Sequence, residues 1–169
     1  MNDSGLKQPA RQRVRDLIAL TVCVALCYAV GAMGSVLFAG ARDGWYASLA
    51  KPAFTPPGWI FGPVWTVLYI CMGVAAWLVW RRLGLQAGAG PLGLFAIQLA
   101  LNGAWMPLFS GLRSPGWAFA DIVALWVMIV WTTARFFAVR RLAGWLMVPY
   151  LAWTSFAAVL NFAIWQLNC

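Results

Sequence analysis

The sequence predicts an all-α integral membrane protein: a bundle of five transmembrane helices with a long loop between helices 1 and 2. Three observations predict it. Apolar residues make up 63% of the 169-residue chain and charged residues only 9%. A soluble domain carries about 25% charged residues, so too little charge remains here for a water-facing surface. Five apolar stretches fill nearly the whole chain, each long enough at ~1.5 Å rise per residue to cross about 30 Å of hydrocarbon. Arginine and lysine collect at the ends of those stretches, so the net charge of +8 reads as membrane topology and not as nucleic-acid binding.

Residues 1–16 are polar, hold Lys7, Arg11, Arg13 and Arg15, and are expected to form a disordered basic tail. Residues 17–169 form the membrane domain. Helix one is expected over about 17–38; it exceeds the roughly 7–15 residues of a signal-peptide core, so it is expected to be retained. The loop 39–57 follows, rich in Gly, Pro and aromatics. Helix two is expected over about 58–80, opened by Pro56-Pro57, which need no amide donors at a helix start. Helices three, four and five are expected over about 91–109, 115–137 and 143–167, with short connections that make sequential helices antiparallel neighbours.

Five spans put the termini on opposite faces. The N-terminal face would carry nine cations, Lys7, Arg11, Arg13, Arg15, Arg81, Arg82, Arg135, Arg140 and Arg141, against three on the other, Arg42, Lys51 and Arg113. The excess predicts a cytoplasmic N-terminus and an outward C-terminus in a bacterial membrane. The first loop then lies on the outer face. It is long enough to fold back over the bundle, and its Trp45, Tyr46 and Phe54 suit either a lid or an interfacial aromatic anchor.

Most of the twelve tryptophans suit interface anchoring. Trp45, Trp59, Trp65 and Trp105 instead cluster around prolines, a rigid and nearly uncharged aromatic wall better suited to a large flat ligand than to an ion. Gln98, Asn102, Trp105 and Phe109 share one face of helix three. Pro149, Trp153, Ala157 and Asn161 form a stripe on helix five, and Trp65 and Tyr69 lie one turn apart on helix two. Each stripe taken singly could be ordinary core. Converging, they would line a cavity with stacking surfaces and a few hydrogen-bonding groups.

Asp121 is the one acid well inside a span, either a functional carboxylate or a polar anchor to a helix end or to Arg113. A small proton-coupled exporter would need its acid in the first span, where this chain has only Asp16 at the edge. Ala96, Ala100 and Ala104 form a small-residue row on helix three that could serve a dimer contact. Cys23, Cys27, Cys71 and Cys169 lack metal spacing, and the chain has no histidine, so no metal site is expected.

Three motif blocks carry a resemblance. They are Trp45-Tyr46 with Lys51-Pro52, Pro56-Pro57, Trp59, Phe61, Pro63, Trp65 and Tyr69; Leu101-Asn102 through Trp105 and Pro107 to Phe109; and Pro149-Tyr150 through Trp153, Phe156 and Ala157 to Leu160-Asn161. With Asp121, this arrangement resembles the TspO/translocator protein family, the tryptophan-rich sensory proteins and peripheral-type benzodiazepine receptors, in a bacterial member. The resemblance implies five transmembrane helices, a homodimer through helix three, and a pocket under the first loop for porphyrins and haem-type tetrapyrroles. Carried over, the ligand-binding residues would be Tyr46, Pro56, Trp65, Tyr69, Asn102, Trp105, Trp153 and Ala157. Trp65 and Trp153 match tryptophans implicated in light-dependent porphyrin breakdown in bacterial relatives. The family's sterol pattern needs a tyrosine and then a basic residue near the end of helix five; Phe162 and Gln166 stand there, which argues against high-affinity cholesterol binding.

The expected function is a tetrapyrrole-binding sensor or transporter in porphyrin metabolism and stress response, with no required cofactor. Light-dependent porphyrin degradation through Trp65 and Trp153, or a scaffold for lipid or protein partners, are the alternatives. No acid–base or metal constellation of a conventional enzyme is present in the sequence.

Overall fold

A computed structural model of the chain describes residues 4–41 and 44–169. Residues 1–3 of the expected tail, and Arg42 of the outer-face count, lie outside the described residues. The elements are α1 (Ser4–Ala41), a short α2 (Trp45–Ser48), α3 (Gly58–Met106), a π-helical turn (Pro107–Gly111), α4 (Pro115–Val139) and α5 (Arg141–Leu167). Among the described residues all regular structure is helical.

α3 is two spans, not one. Tyr69 and Asn102 are 33 residues apart yet hydrogen-bonded at 2.8 Å, whereas a straight helix would separate them by about 50 Å. The chain doubles back at Gly84, whose φ of 69° and ψ of −172° interrupt the helix. That conformation is essentially restricted to glycine. The two arms, 58–83 and 85–106, make five membrane passes in all.

The boundaries differ from expectation in three places. The basic stretch expected to be disordered is helical from Ser4 onward. Helices two and three are joined by the single break at Gly84, where a connection of about ten residues was expected across 81–90; the intervening Gly- and Ala-rich residues continue the helix because one left-handed residue suffices to reverse it. Helix three ends at Met106 and passes into the π turn. Pro107 has no amide to give to the Gly103 carbonyl, and the ladder slips to an i−5 bond, Leu112 N–H to Pro107 carbonyl at 2.9 Å.

Small residues set the closest helix contacts, as in membrane bundles generally. A Cβ on Gly73 would lie 2.6 Å from the Val24 Cα, so α1 and the first arm of α3 meet backbone to backbone. Phe137 packs over Gly144 where α4 and α5 diverge from their turn. Phe95 stacks on Phe136 at 5.8 Å, tying the second arm of α3 to α4, and Phe119 meets Phe162 between α4 and α5. One core, around Met72, Val79, Ile129, Met147 and Tyr150, fills the middle of the bundle. A second, around Phe109, Ala118, Leu160 and Ile164, lies beneath Trp45 and Tyr46 of the first loop. Leu17, Ile18, Val22 and Leu26 of α1 are exposed, as a lipid-facing surface requires. The chain is an integral, multi-pass membrane protein.

Candidate functional site: a tryptophan-lined cavity beneath the first loop

A cavity of about 560 Å³ opens between the first loop and the bundle. All five spans reach its wall: Tyr28, Gly31 and Gly34 from α1, Trp65 and Tyr69 from the first arm of α3, Asn102 and Trp105 from its second arm, Ile122 and Leu125 from α4, and Trp153, Thr154, Ala157 and Asn161 from α5. The structure brings Tyr46, Pro56, Trp65, Tyr69, Asn102, Trp105, Trp153 and Ala157, the eight candidate ligand residues, onto this one wall.

The floor is polar and internally satisfied. The Tyr69 hydroxyl donates to Asn102 Oδ1 at 2.8 Å, and Asn102 Nδ2 donates to the Tyr150 hydroxyl at 3.0 Å. Three spans are thereby joined through one carboxamide. A second amide does the same nearer the loop: Trp105 Nε1 donates to Asn161 Oδ1 at 2.9 Å, and Asn161 Nδ2 donates to the Pro115 carbonyl at 2.9 Å. Buried polar groups in such chains hold their side chains in one orientation, because any other leaves them unpaired.

The walls are aromatic. Trp65 stacks on Tyr69 with centroids 5.3 Å apart and meets Tyr150 edge-on at 6.1 Å. Trp153 meets Phe61 at 5.8 Å and Phe156 at 5.5 Å. Trp105 stacks on Phe109 at 4.9 Å, and the loop's Trp45 and Tyr46 rest their rings against that same Phe109. Trp153 Nε1 and Thr154 Oγ1 are buried behind the wall with no hydrogen-bond partner among the described residues. Lys51 is the one charged residue among the described wall residues. Its ammonium donates to the Ala47 and Leu49 carbonyls and lies 4.7 Å from the Tyr46 ring centroid.

Other sequence-level candidates fall elsewhere. Gln98 shares the Asn102 face but sits below the floor, fully buried, with both amide atoms unpartnered among the described residues. Pro149 is exposed, so the α5 wall runs through Trp153, Thr154, Ala157 and Asn161 instead. Trp59 is 74% exposed and faces away from the cavity core. Asp121 is half-buried, its Oδ2 without a described partner, and it does not line the cavity. Ala96 and Ala100 are exposed and Ala104 half-buried on the second arm of α3. Among the described residues no three metal-ligating side chains gather.

Sequence reasoning missed Tyr150, Thr154 and the α1 contribution. Tyr150, Thr154, Ala157 and Asn161 follow helical spacing as well as the chosen stripe does, and that was the available signal. Gly31 and Gly34 gave only a weak one, since glycine is common in membrane helices.

Comparison with known proteins gives a consistent picture. The sequence matches the model of the TspO/MBR family over residues 23–166. It is 44% identical over 158 residues to the tryptophan-rich protein TspO of Chlorobaculum tepidum, covering 91% of this chain and 98% of that protein. Against the translocator protein of Homo sapiens it is 44% identical over 138 residues, 80% and 82% of the two chains. Against the tryptophan-rich sensory protein of Cereibacter sphaeroides it is 37% identical over 145 residues, 86% and 88% of the two.

Proposed function

The chain belongs to the TspO/MBR family, and from that premise we propose that it binds a flat tetrapyrrole of the porphyrin or haem type and acts as a membrane sensor or transporter. One observation carries the reading: a cavity of about 560 Å³ with Trp65, Trp105 and Trp153 on its walls. Its volume lies within the roughly 300–1,000 Å³ of small-molecule sites, and its make-up, mostly apolar and aromatic with a few fixed polar groups, is theirs. A macrocycle would stack on the indoles. Relatives named as sensory and as translocator proteins support a sensing or transport role in general.

The test is a protoporphyrin IX titration followed by tryptophan fluorescence. The Trp65→Phe/Trp153→Phe variant is expected to bind at least several-fold more weakly. Binding equal to the parent's would remove the assignment of this cavity.

Light-dependent degradation is a second reading, favoured by Trp65 and Trp153 facing one cavity. Illuminating the complex in air is expected to give a new chromophore with the parent and not with the double variant. Bleaching at the rate seen with free tryptophan in detergent would dismiss it. The exposed Ala96 and Ala100 support a homodimer through the second arm of α3; Ala100→Leu is expected to shift the purified protein toward monomer in sedimentation. The arginine-rich end is proposed to face the cytoplasm.

A further inference from the structure

The end of the bundle that carries Gly84 is ringed by arginine. α1 brings Arg11, Arg13 and Arg15; the first arm of α3 ends in Arg81 and Arg82; the α4–α5 turn brings Arg135, Arg140 and Arg141. All eight are exposed. Asp16 is the one carboxylate described there, and Arg81 already engages it at 3.3 Å. General membrane orientation needs only positive charge, which lysine supplies equally well. Besides Lys7, the cations of this end are all arginine, whose planar forks grip a phosphate through two parallel hydrogen bonds.

The corner between α1 and the first arm of α3 is also built. Arg81 Cζ lies 5.2 Å from the Trp77 ring centroid while its Nε pairs with Asp16. Arg15 Cζ lies 5.5 Å from the Trp80 ring centroid. A guanidinium lying over an indole uses its face and keeps its in-plane N–H groups free for another partner. Arg11 sits one helical turn from Arg15 on the same face of α1. Arg15 precedes the exposed, lipid-facing Leu17 and Ile18 by about one turn or less, which sets the guanidinium groups at headgroup depth.

We propose that this corner, Arg11 and Arg15 against Trp80, is a headgroup site for an anionic phospholipid. The phosphate is held by the guanidinium edges, and the acyl chains run along Val14, Leu17 and Ile18. The Asp16–Arg81 pair ties the two helices together beside the site and neutralises Arg81. The site is separate from the tryptophan-lined cavity and is independent of the ligand proposed there.

The full chain is purified into nanodiscs of phosphatidylcholine with added phosphatidylglycerol, and retained lipid is counted by native mass spectrometry. The parent is expected to retain phosphatidylglycerol over phosphatidylcholine by roughly tenfold, since each basic side chain at an anionic surface adds a several-fold gain. Arg11→Gln/Arg15→Gln is expected to abolish that preference, and Arg140→Gln/Arg141→Gln, with the same charge removed, to keep it. If the first variant does not fold, Arg11→Lys/Arg15→Lys keeps the charge and is expected to weaken retention by several-fold. No preference in the parent, equal loss from both glutamine pairs, or full retention by the lysine variant would each overturn the proposal.

Discussion

Asn168 and Ala50 pair in both directions across the mouth of the bundle. The Ala50 amide donates to Asn168 Oδ1 at 2.9 Å, and Asn168 Nδ2 returns a bond to the Ala50 carbonyl at 2.9 Å. The same Nδ2 reaches the Ile164 carbonyl at 2.7 Å, so the side chain is held against the end of α5. A side-chain amide here imitates a strand neighbour and pins the first loop over the cavity. The pair is solvent-exposed, so each bond contributes only about 0.5–1.5 kcal/mol. Asn168→Ala is therefore expected to leave thermal stability nearly unchanged and to speed porphyrin dissociation several-fold in stopped-flow fluorescence. An unchanged off-rate would mean that Trp45 and Tyr46 on Phe109 hold the loop alone.

Asn102 carries a larger load because its partners are buried. Asn102→Leu leaves the Tyr69 and Tyr150 hydroxyls without their shared amide, at about 1–3 kcal/mol for each unsatisfied group. Tyr69→Phe strands only the Asn102 oxygen. Thermal unfolding in detergent is expected to rank Asn102→Leu well below Tyr69→Phe, with the latter modestly below the parent. Equal midpoints for the two variants would show that the amide does not bridge them.

The reversal at Gly84 predicts a sharp glycine dependence. A Cβ there meets no atom within 4 Å, so the obstacle is backbone conformation and not space. At φ 69° and ψ −172°, Gly84→Ala is expected to cost about 1–3 kcal/mol. Gly90→Ala, helical and equally uncrowded, is expected to be neutral or to stabilise by up to about 1 kcal/mol. Paired thermal melts check both signs.

Gly31 sets how closely α1 approaches the cavity wall. A Cβ on it would overlap the Tyr69 ring, which stacks on Trp65. Gly31→Ala is expected to tilt Tyr69 away from Asn102 and to weaken porphyrin binding by about tenfold, of the order of one lost hydrogen bond. Gly62→Ala, on the same wall but with nothing within 4 Å of its added Cβ, is expected to bind like the parent. Fluorescence titration of the two variants side by side distinguishes a local steric effect from a general loss of helix packing.

The membrane character, the spans and much of the aromatic wall were legible in the sequence because they follow from composition and from periodicity along one helix. Trp65 with Tyr69, and Asn102 with Trp105, sit at helical spacing and declare a shared face. What the sequence left open was which faces meet. Gln98 shares the Asn102 face, yet it lies below the floor, because depth in the bundle depends on how α4 and α5 pack against it. Tyr150 looked like one more residue of a motif until the Asn102 bond gave it a partner 48 positions away.

The sequence by itself determined that the chain crosses a membrane several times, which end carries the arginines, and which aromatic and polar side chains share a helix face. Hydrophobic length, charge and spacing are local properties and can be read along the chain. Tertiary structure alone decided that α3 reverses on the single residue Gly84 and that α1 supplies cavity wall. It also decided that Asn168 ties down the loop, that Arg15 lies over Trp80 and that Asp16 pairs with Arg81. These are contacts between groups distant in sequence, set by the fit of one helix surface to another, and no periodicity within one helix records that fit.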